Sequence, residues 1–309
     1  MKLSPLVLAF FAALVVFAPP LPAQEPAAAP PSAAAERSDI ITPHITDSHE
    51  LEVPFVGEVE LPRWAPLHVL GRDVDLSPTK HVVMLLIAAF LCLATMFVAA
   101  SGAVTQTESH GHTRGFAGAV ETVVVFVRNE VVVPNVGPHG EGFAPFVLTL
   151  FFFILYANLL GLIPYGSTAT GNIAVTASLA LITFLVIEGA TMAALGWGYL
   201  GTIFYWPHDM PLAMKLPMTF IMTPVELISK FTKPFALAIR LFANMTAGHV
   251  VLLAFISLIF TFHSWSIAFA PAVMGVAMSM LELMVAFLQA FIFSLLASVF
   301  IGLGRQAAH

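Results

Sequence analysis

The sequence predicts an all-α polytopic membrane protein with about five membrane crossings. Hydrophobic residues make up 59% of the 309 residues and charged residues only 10%, whereas a soluble domain carries about 25% charged residues. Several apolar runs are long enough to cross a hydrocarbon core of about 30 Å as helices. The net charge is −6, and no basic patch of the kind that binds nucleic acid is present.

The N-terminal part of the chain is expected to be exported. Residues 1–23 have the layout of a secretory signal peptide, with a lysine, an apolar core and a Pro- and Ala-containing end. An uncleaved first transmembrane helix is the alternative. Residues 24–79 are predicted to form an exported, partly disordered segment, because residues 24–38 are rich in Pro and Ala. The transmembrane domain is then expected to occupy residues 80–305.

Five apolar runs follow, each bounded by polar or turn-forming residues. The second, for example, ends at the turn-forming sequence Pro164-Tyr-Gly-Ser. The stretches 102–112 and 197–217 contain enough polar residues to be read as connectors. The predicted crossings are residues 81–101, 143–163, 172–196, 219–261 and 271–304.

The last two crossings are too long to stand upright in a membrane. At 1.5 Å per residue, a helix over 219–261 would measure about 64 Å and one over 271–304 about 51 Å. The first of them must either form a hairpin, with a kink at Lys233-Pro234, or lie strongly tilted, and the second is expected to be oblique. Two long tilted antiparallel helices near the C-terminus are therefore predicted.

Residues 115–133 are predicted to form an interfacial amphipathic helix. Glu121 and Arg128 are seven residues apart, and so they share one face of a helix that is otherwise rich in valine. An exported N-terminus and five crossings place the C-terminus in the cytoplasm. The exported connectors 164–171 and 262–270 contain no Lys or Arg, which agrees with the positive-inside rule.

Arg240 is the most informative residue, because it lies inside one of the most apolar stretches. A guanidinium stays charged at physiological pH, and insertion scales assign it a cost of about 2.5–3.5 kcal/mol at a helix centre. Arg240 therefore needs an anionic partner or a function that uses its charge. Ionisable groups within a membrane mark ion or proton paths by default.

The spacing of other polar residues suggests how the two long helices face each other. His249 lies nine residues after Arg240, and Gln289 lies seven residues after Glu282. In an antiparallel pair, these similar spacings allow His249 to face Glu282 and Arg240 to face Gln289. Asn244 is four residues after Arg240 and shares its face.

These pairs differ in chemistry. His249 and Glu282 are both titratable and can pass protons near neutral pH, whereas Gln289 can hold a guanidinium without neutralising it. Two simpler interpretations stay open: His249 as a satisfied buried histidine, and Glu282 as the structural ion-pair partner of Arg240. Glu226 lies about 21 Å along the helix from Arg240 and is either an interfacial carboxylate or the lining of an aqueous inlet.

Other residues carry simpler interpretations. Glu188 is interpreted in the same two ways as Glu226, and Lys230 and Lys233 are expected to be interfacial residues that extend towards water. No nucleotide-binding, metalloprotease or nucleophile-elbow motif is present, so no cofactor or metal is expected. The only cysteine, Cys92, lies in an apolar run and excludes a disulfide framework.

The residues around Arg240 resemble subunit a of the F-type ATP synthase. The resemblance centres on Arg240-Leu-Phe-Ala-Asn244-Met and on the sequence that leads to it from Glu226, and it extends over about 81–304. Further support comes from three stretches, 158–164, 170–176 and 282–293.

The resemblance implies a role for each matching residue. Arg240 matches the essential stator arginine that faces the ring carboxylate of subunit c, and Asn244 and Gln289 match its polar neighbours. His249 and Glu282 match the two proton-path positions of the exported-side half-channel, with the acid and the histidine in the reverse order of some relatives.

Two further positions bear on the half-channels. Glu226 matches an acid near the cytoplasmic half-channel. Gly161 stands where some relatives carry an acid, which implies an outer half-channel that relies on Asn158 and water.

The sequence and the resemblance lead to one main hypothesis and two rivals. The main one is a proton-translocating stator subunit of a bacterial inner-membrane ATP synthase, with the oligomeric c-ring, subunit b of the peripheral stalk, the lipid membrane and, indirectly, the F1 sector as partners. A self-contained ion-coupled secondary transporter is the alternative. A membrane-embedded hydrolase would need a metal or nucleophile set.

Overall fold

The fold is almost entirely helical, as predicted. Five stretches of the described residues are long and apolar enough to cross a membrane, which confirms an all-α, multi-pass architecture. The proposed signal peptide and the Pro- and Ala-rich segment after it lie outside the described part of the chain. The computed structural model describes residues 47–53, 57–64, 67–69, 72–74, 77–110, 115–138, 140–163, 168–204, 212–262 and 265–306.

Two short β-hairpins precede the first membrane helix, within the segment that was predicted to be partly disordered. A backbone hydrogen bond from Lys80 N to Ser48 O (2.9 Å) attaches this segment to the start of the helix, and one from Leu61 N to His49 O (2.8 Å) closes the first hairpin. The strands are β1 (Glu50–Val53) paired antiparallel with β2 (Gly57–Glu60), and β3 (Leu67–Val69) paired antiparallel with β4 (Arg72–Val74).

The first helix, α1, extends over Lys80–His110 and is longer than predicted. Residues 102–110 were expected to belong to a connector because they are polar, but they are helical. This stretch contains no proline, and polar residues outside the hydrocarbon core do not by themselves end a helix. The candidate membrane span within α1 is Lys80–Ala103.

The predicted amphipathic helix is present and continues to residue 136. It consists of α2 (Gly115–Phe126), a π-helical turn (Val127–Val132) and α3 (Val133–Val136). Its buried face is formed largely by valines, whereas Glu121 and Arg128 are exposed. This segment ends at Gly137, whose φ of 81° lies in the left-handed region that glycine tolerates best.

Helix α4 (Ala144–Gly161) is the buried centre of the bundle. Phe146, Leu150, Phe153 and Ile154 are at most 1% exposed, and apolar residues occupy all sides of the helix, as expected for one that is surrounded by other helices. Helix α1 and the C-terminal helix, Trp265–Gln306, pack against it.

Helix α5 (Ile173–Leu195) has clear signals at both ends. The side chain of Asn172 caps its first turn by accepting a hydrogen bond from Ala174 N at 2.9 Å. Gly196 follows its last residue with a φ of 55° and begins a 3₁₀ turn, Gly196–Thr202.

Helix α6 (Leu212–Phe262) is continuous over 51 residues. The predicted connector 197–217 is therefore too long at its C-terminal end. Of the two alternatives for this run, the hairpin with a kink at Lys233-Pro234 is wrong. Three prolines, at 217, 224 and 234, lie inside the helix without ending it, since neighbouring helices let membrane helices tolerate proline. At about 76 Å, α6 fits the tilted alternative.

Helix α7 (Trp265–Gln306) runs antiparallel to α6, and the two share the largest interface among the described helices. Gly248 of α6 lies against Glu282 of α7, and Phe255 lies against Gly275. Seven residues forward on one helix thus correspond to seven residues back on the other. The register is the one predicted from the polar residues.

Candidate functional site

Helix α6 places its polar residues on two different faces. Leu237, Leu241 and Met245 form a buried stripe at helical spacing, and His249 continues it with 8% exposure. Arg240 and Asn244 lie on another face and are exposed. The helix therefore turns its histidine into the bundle and its arginine outwards.

Glu282 and His249 come to the same level of the bundle. Glu282 is 2% exposed, and its Oε1 lies 2.9 Å from the position that a Cβ at Gly248 would occupy. The absence of a side chain at 248 is what lets the carboxyl approach α6 beside His249. The structure thus confirms that His249 and Glu282 lie at the same level of the antiparallel pair.

The Glu282 carboxyl has an unusual environment. Neither of its oxygens has a hydrogen-bond partner within the part of the chain that the structure describes. A buried carboxylate without donors is costly, so the carboxyl is held where its charge state responds to a proton or to a cation brought nearby. That property suits proton exchange better than a static ion pair.

Arg240 and Gln289 share a level but not a contact. From the Gly248–Glu282 crossing, eight residues back along α6 lead to Arg240, and seven forward along α7 lead to Gln289. Gln289 is 4% exposed and packed inside, whereas Arg240 is exposed. Among the described residues, Arg240 forms neither a hydrogen bond with Gln289 nor an ion pair with Glu282. The alternative of a structural Arg240–Glu282 pair is therefore wrong.

Asn158 of α4 forms hydrogen bonds with two other elements near this site, the Ala169–Gly171 turn and α7. It is fully buried, its Oδ1 accepts from Thr170 Oγ1 at 2.8 Å, and its Nδ2 donates to Ala286 O at 3.4 Å. Both ends of the amide are therefore engaged, and Ala286 is one helical turn from Glu282. Asn158 therefore holds α7 in place one turn from Glu282, beside the predicted proton path.

A short 3₁₀ turn, Ala169–Gly171, covers α6 near His249. Gly171 O accepts a hydrogen bond from Thr246 Oγ1 at 3.4 Å, and Thr246 lies one helical turn before His249. Sequence reasoning did not single out Thr246 or Gly248. A glycine directly before the histidine, in a helix of larger residues, was the available signal for Gly248.

A second polar region lies towards the N-terminal half of α6. A cavity of about 200 Å³ is lined by Glu226, Glu188, Lys230 and Lys233. Glu226 is exposed, about 34 Å along α6 from His249. The lining of an aqueous inlet, one of its two interpretations, matches this position.

Lys230 was predicted to extend towards water, but its side chain is engaged inside the protein. Its Nζ lies 3.0 Å from Glu188 Oε2 and 3.0 Å from Thr202 Oγ1, and it sits over the ring of Tyr199 at 4.6 Å. Tyr199 also donates to Glu188 Oε2 at 2.7 Å. The two charges neutralise each other on the wall of the cavity, next to the carboxyl of Glu226.

The structure thus defines a multi-pass membrane protein in which two long antiparallel helices hold a buried acid–imidazole level and an exposed arginine. Residues 82–302 match the family model described as ATP synthase A chain. The chain is 44% identical over 261 residues to ATP synthase subunit a of Chloroherpeton thalassium, which covers 84% of this chain and 74% of that protein. It is 42% identical over 290 residues to ATP synthase subunit a 2 of Chlorobaculum tepidum, with 93% and 79% covered.

The chain therefore belongs to the ATP synthase A chain family. It is accordingly a multi-pass bacterial membrane protein and a component of an ATP synthase complex with other subunits.

Proposed function

We propose that this chain is the proton-translocating stator subunit of the membrane sector of ATP synthase and provides two half-channels to a rotating c-ring. The observation that carries the proposal is the division of polar groups on α6. His249 is turned inwards beside the buried Glu282, whereas Arg240 is turned outwards without a carboxylate partner among the described residues.

The outer half-channel leads to His249 and Glu282. Protons from the exported side reach these two groups and pass from them to a carboxylate on the ring. Asn158 and Gln289 are buried close to this level and hold the polar groups in place. A carboxyl without fixed donors can accept and release a proton with little rearrangement of its surroundings.

Arg240 acts on the ring rather than within the chain. A permanent charge on an exposed helix face attracts a deprotonated ring carboxylate as it passes. It also keeps a protonated site from crossing directly between the half-channels. Asn244, one turn further along the same face, lies where it can contact the same ring site.

The inner half-channel leads from the ring to the cytoplasm through the cavity near Glu226. The fixed Glu188–Lys230 pair on its wall keeps that wall polar without adding net charge. Glu226, which is exposed and forms no ion pair with another described residue, is then the group that transfers the proton to water.

The ring is proposed to dock on the face that carries Arg240. Small residues, Ala243 and Ala247, are exposed beside Arg240 and Asn244 on α6, so that a second helix can approach closely. Exposed apolar side chains continue the face on α7, among them Met284 (61% exposed) and Phe287 (48% exposed). Subunit b and, through it, the F1 sector are proposed to contact other surfaces of the chain.

The proposed orientation follows the positive-inside rule. Residues 1–23 act as a signal peptide, 24–79 are exported, and the transmembrane domain of 80–305 ends in the cytoplasm. Lys230, Lys233 and Arg305 then lie towards the cytoplasmic side.

The test is an Arg240→Ala substitution in the complete ATP synthase, reconstituted in liposomes. We expect coupled ATP synthesis to be abolished while passive proton flux through the membrane sector continues, because the half-channels remain and the separating charge is gone. The measurements are ATP synthesis driven by an imposed proton gradient and proton flux without nucleotide.

The matched control is Arg128→Ala, which removes an exposed arginine paired with Glu141 at 2.9 Å. It is expected to retain synthesis. Normal coupled synthesis in the Arg240→Ala complex would overturn the proposal. Ion transport by the purified chain alone would instead support a self-contained transporter.

A further inference from the structure

An acid–imidazole pair lies at the start of α1 and is not part of the site described above. His81 is only 2% exposed although it is the second residue of the helix. Its Nδ1 lies 3.4 Å from Asp47 Oδ1 and 3.2 Å from Asn172 Nδ2. The backbone N of His81 also donates to Asp47 Oδ1 at 3.3 Å.

The hydrogen bonds around Asn172 determine which nitrogen of His81 carries the proton. Asn172 Oδ1 accepts from Ala174 N, which fixes the amide so that its NH₂ group points to His81. An amide nitrogen can only donate, so Nδ1 of the neutral ring carries a lone pair and Nε2 carries the hydrogen.

The two nitrogens therefore face different surroundings. Nδ1 faces Asp47, whose side chain is 22% exposed and so is reached by water. Nε2 is buried and has no hydrogen-bond partner in the described ranges. With no group beside it to take the hydrogen, Nε2 keeps its proton, and Nδ1 is the nitrogen that can exchange a proton with Asp47.

Asp47 is suited to collect protons rather than to store them. Burial pushes the pKa of Asp47 up, but the hydrogen bond and the positive charge that the His81 ring supplies when it is protonated, together with hydrogen bonds from Thr79 and the His81 backbone, outweigh burial and hold that pKa below the ordinary value of 3.8. The carboxylate remains an anion at neutral pH and passes an incoming proton on to the ring.

The position of the pair connects it to the main site. Asn172 directly follows the Ala169–Gly171 turn, which contacts α6 through the Thr246 hydroxyl, one turn from His249. Thr170 in the same turn bonds to Asn158. Polar groups thus extend from the pair towards the level of His249.

We propose that His81, with Asp47 from the N-terminal segment, is the proton entry relay of the exported-side half-channel. This inference rests on the proposed function. A proton from exported-side water binds the Asp47 carboxylate and moves to the Nδ1 lone pair, which gives an imidazolium. The imidazolium then gives up the same Nδ1 proton, by way of water in the half-channel, towards His249, and the neutral ring with its hydrogen on Nε2 is restored.

Two other titratable groups described at this end, Lys80 and His49, have separate contacts. Lys80, next to His81, is 7% exposed and is engaged within the protein. His49 Nδ1 contacts Pro78 O at 3.3 Å. These contacts make His49 a useful control, because it holds the same segment without facing Asp47 or Asn172.

The experiment measures ATP synthesis by the complete reconstituted enzyme as the pH on the exported side is varied at constant driving force. The variant His81→Gln keeps a polar group but cannot carry a proton. We expect its synthesis rate to fall severalfold and its dependence on exported-side pH to flatten. Asp47→Asn is expected to do the same, Asp47→Glu to recover most of the rate, and the control His49→Gln to keep the parent pH profile.

Arg240→Ala, measured in parallel, separates the two proposals. If Arg240→Ala uncouples the enzyme but His81→Gln and Asp47→Asn keep the parent rate and pH profile, the relay is wrong and the proposed function stands. If Arg240→Ala stays coupled, the proposed function is wrong. If His81→Gln does not assemble, Asp47→Asn decides, and an unchanged pH profile in that variant overturns the relay.

Discussion

At the scale of single residues, Gly248 controls how the acid meets the histidine helix. A Cβ at this position would lie 2.9 Å from Glu282 Oε1, 3.2 Å from Cγ and 3.3 Å from Cδ. Since Glu282 is 2% exposed, its side chain has little room to move away. Because Gly248 has a hydrogen where alanine has a methyl group, the Glu282 carboxyl can approach α6 beside His249 in the proposed proton path.

We expect Gly248→Ala to displace the Glu282 carboxyl and to lower proton-driven ATP synthesis severalfold, while the chain still assembles. Synthesis rate and assembly of the complex are the measurements. The matched control is Gly275→Ala in the same helix pair, where the nearest atom, Phe255 Cβ, is at an ordinary 4.0 Å. Equal effects of both substitutions would show that the Glu282 contact has no special role.

At the scale of elements, the C-terminal part of α7 is held tightly against the segment that precedes α4. Arg305 Nη2 donates to Pro138 O at 2.9 Å, and the Arg305 guanidinium lies 5.5 Å from the ring centre of Phe143. Gly302 faces the backbone of α3, and a Cβ there would overlap the carbonyl oxygen of Asn135. The amphipathic segment is thus locked to the end of α7.

Gly302→Ala is expected to destabilise the protein by about 1–3 kcal/mol, the usual cost of forcing extra volume into a packed interface. A backbone carbonyl cannot rotate aside as a side chain could, so the helices must separate. Thermal unfolding in detergent measures the loss. Gly189→Ala in α5, where a Cβ meets no atom within 4 Å, should keep the midpoint or raise it slightly, because alanine favours a helix more than glycine does. An equally high midpoint for Gly302→Ala would contradict the packing argument.

The elements show where sequence patterns are sufficient and where they fail. Apolar length predicted all five crossings, since each must bury about 20 residues in lipid. The start of α6 and the end of α1 were misplaced, because polar residues outside the lipid do not end a helix and because Pro217 does not break α6. The strands of the two β-hairpins, β1 to β4, were not predicted, because the whole of 24–79 was expected to be a partly disordered segment.

At the scale of the whole molecule, the chain has one face that combines a charge with small and apolar residues. Arg240 and Asn244 lie on this face with Ala243 and Ala247. An isolated arginine exposed to lipid would be expensive, so the face is expected to be covered in the assembled enzyme. The proposed cover is the c-ring.

Ala247→Trp places a large side chain on this face without changing the charge. We expect the chain to insert and fold but to co-purify with much less c-ring, because close approach of the ring helices is blocked. Ala193→Trp, at an exposed alanine of α5, is the control and should retain the ring. A normal amount of ring with Ala247→Trp, or its loss with Ala193→Trp, would place the docking face elsewhere.

The sequence by itself determined the five crossings and the levels at which the polar residues of α6 and α7 meet. Helical rise and antiparallel direction fix depth, and both follow from residue spacing. Only the tertiary structure decided which way each side chain faces: His249 and Gln289 point into the bundle, and Arg240 points out. It also paired Lys230 with Glu188. Which face of a helix is covered depends on all its neighbours, and these are assembled from parts of the chain far apart in sequence. For the same reason, only the fold could bring Asp47 to His81.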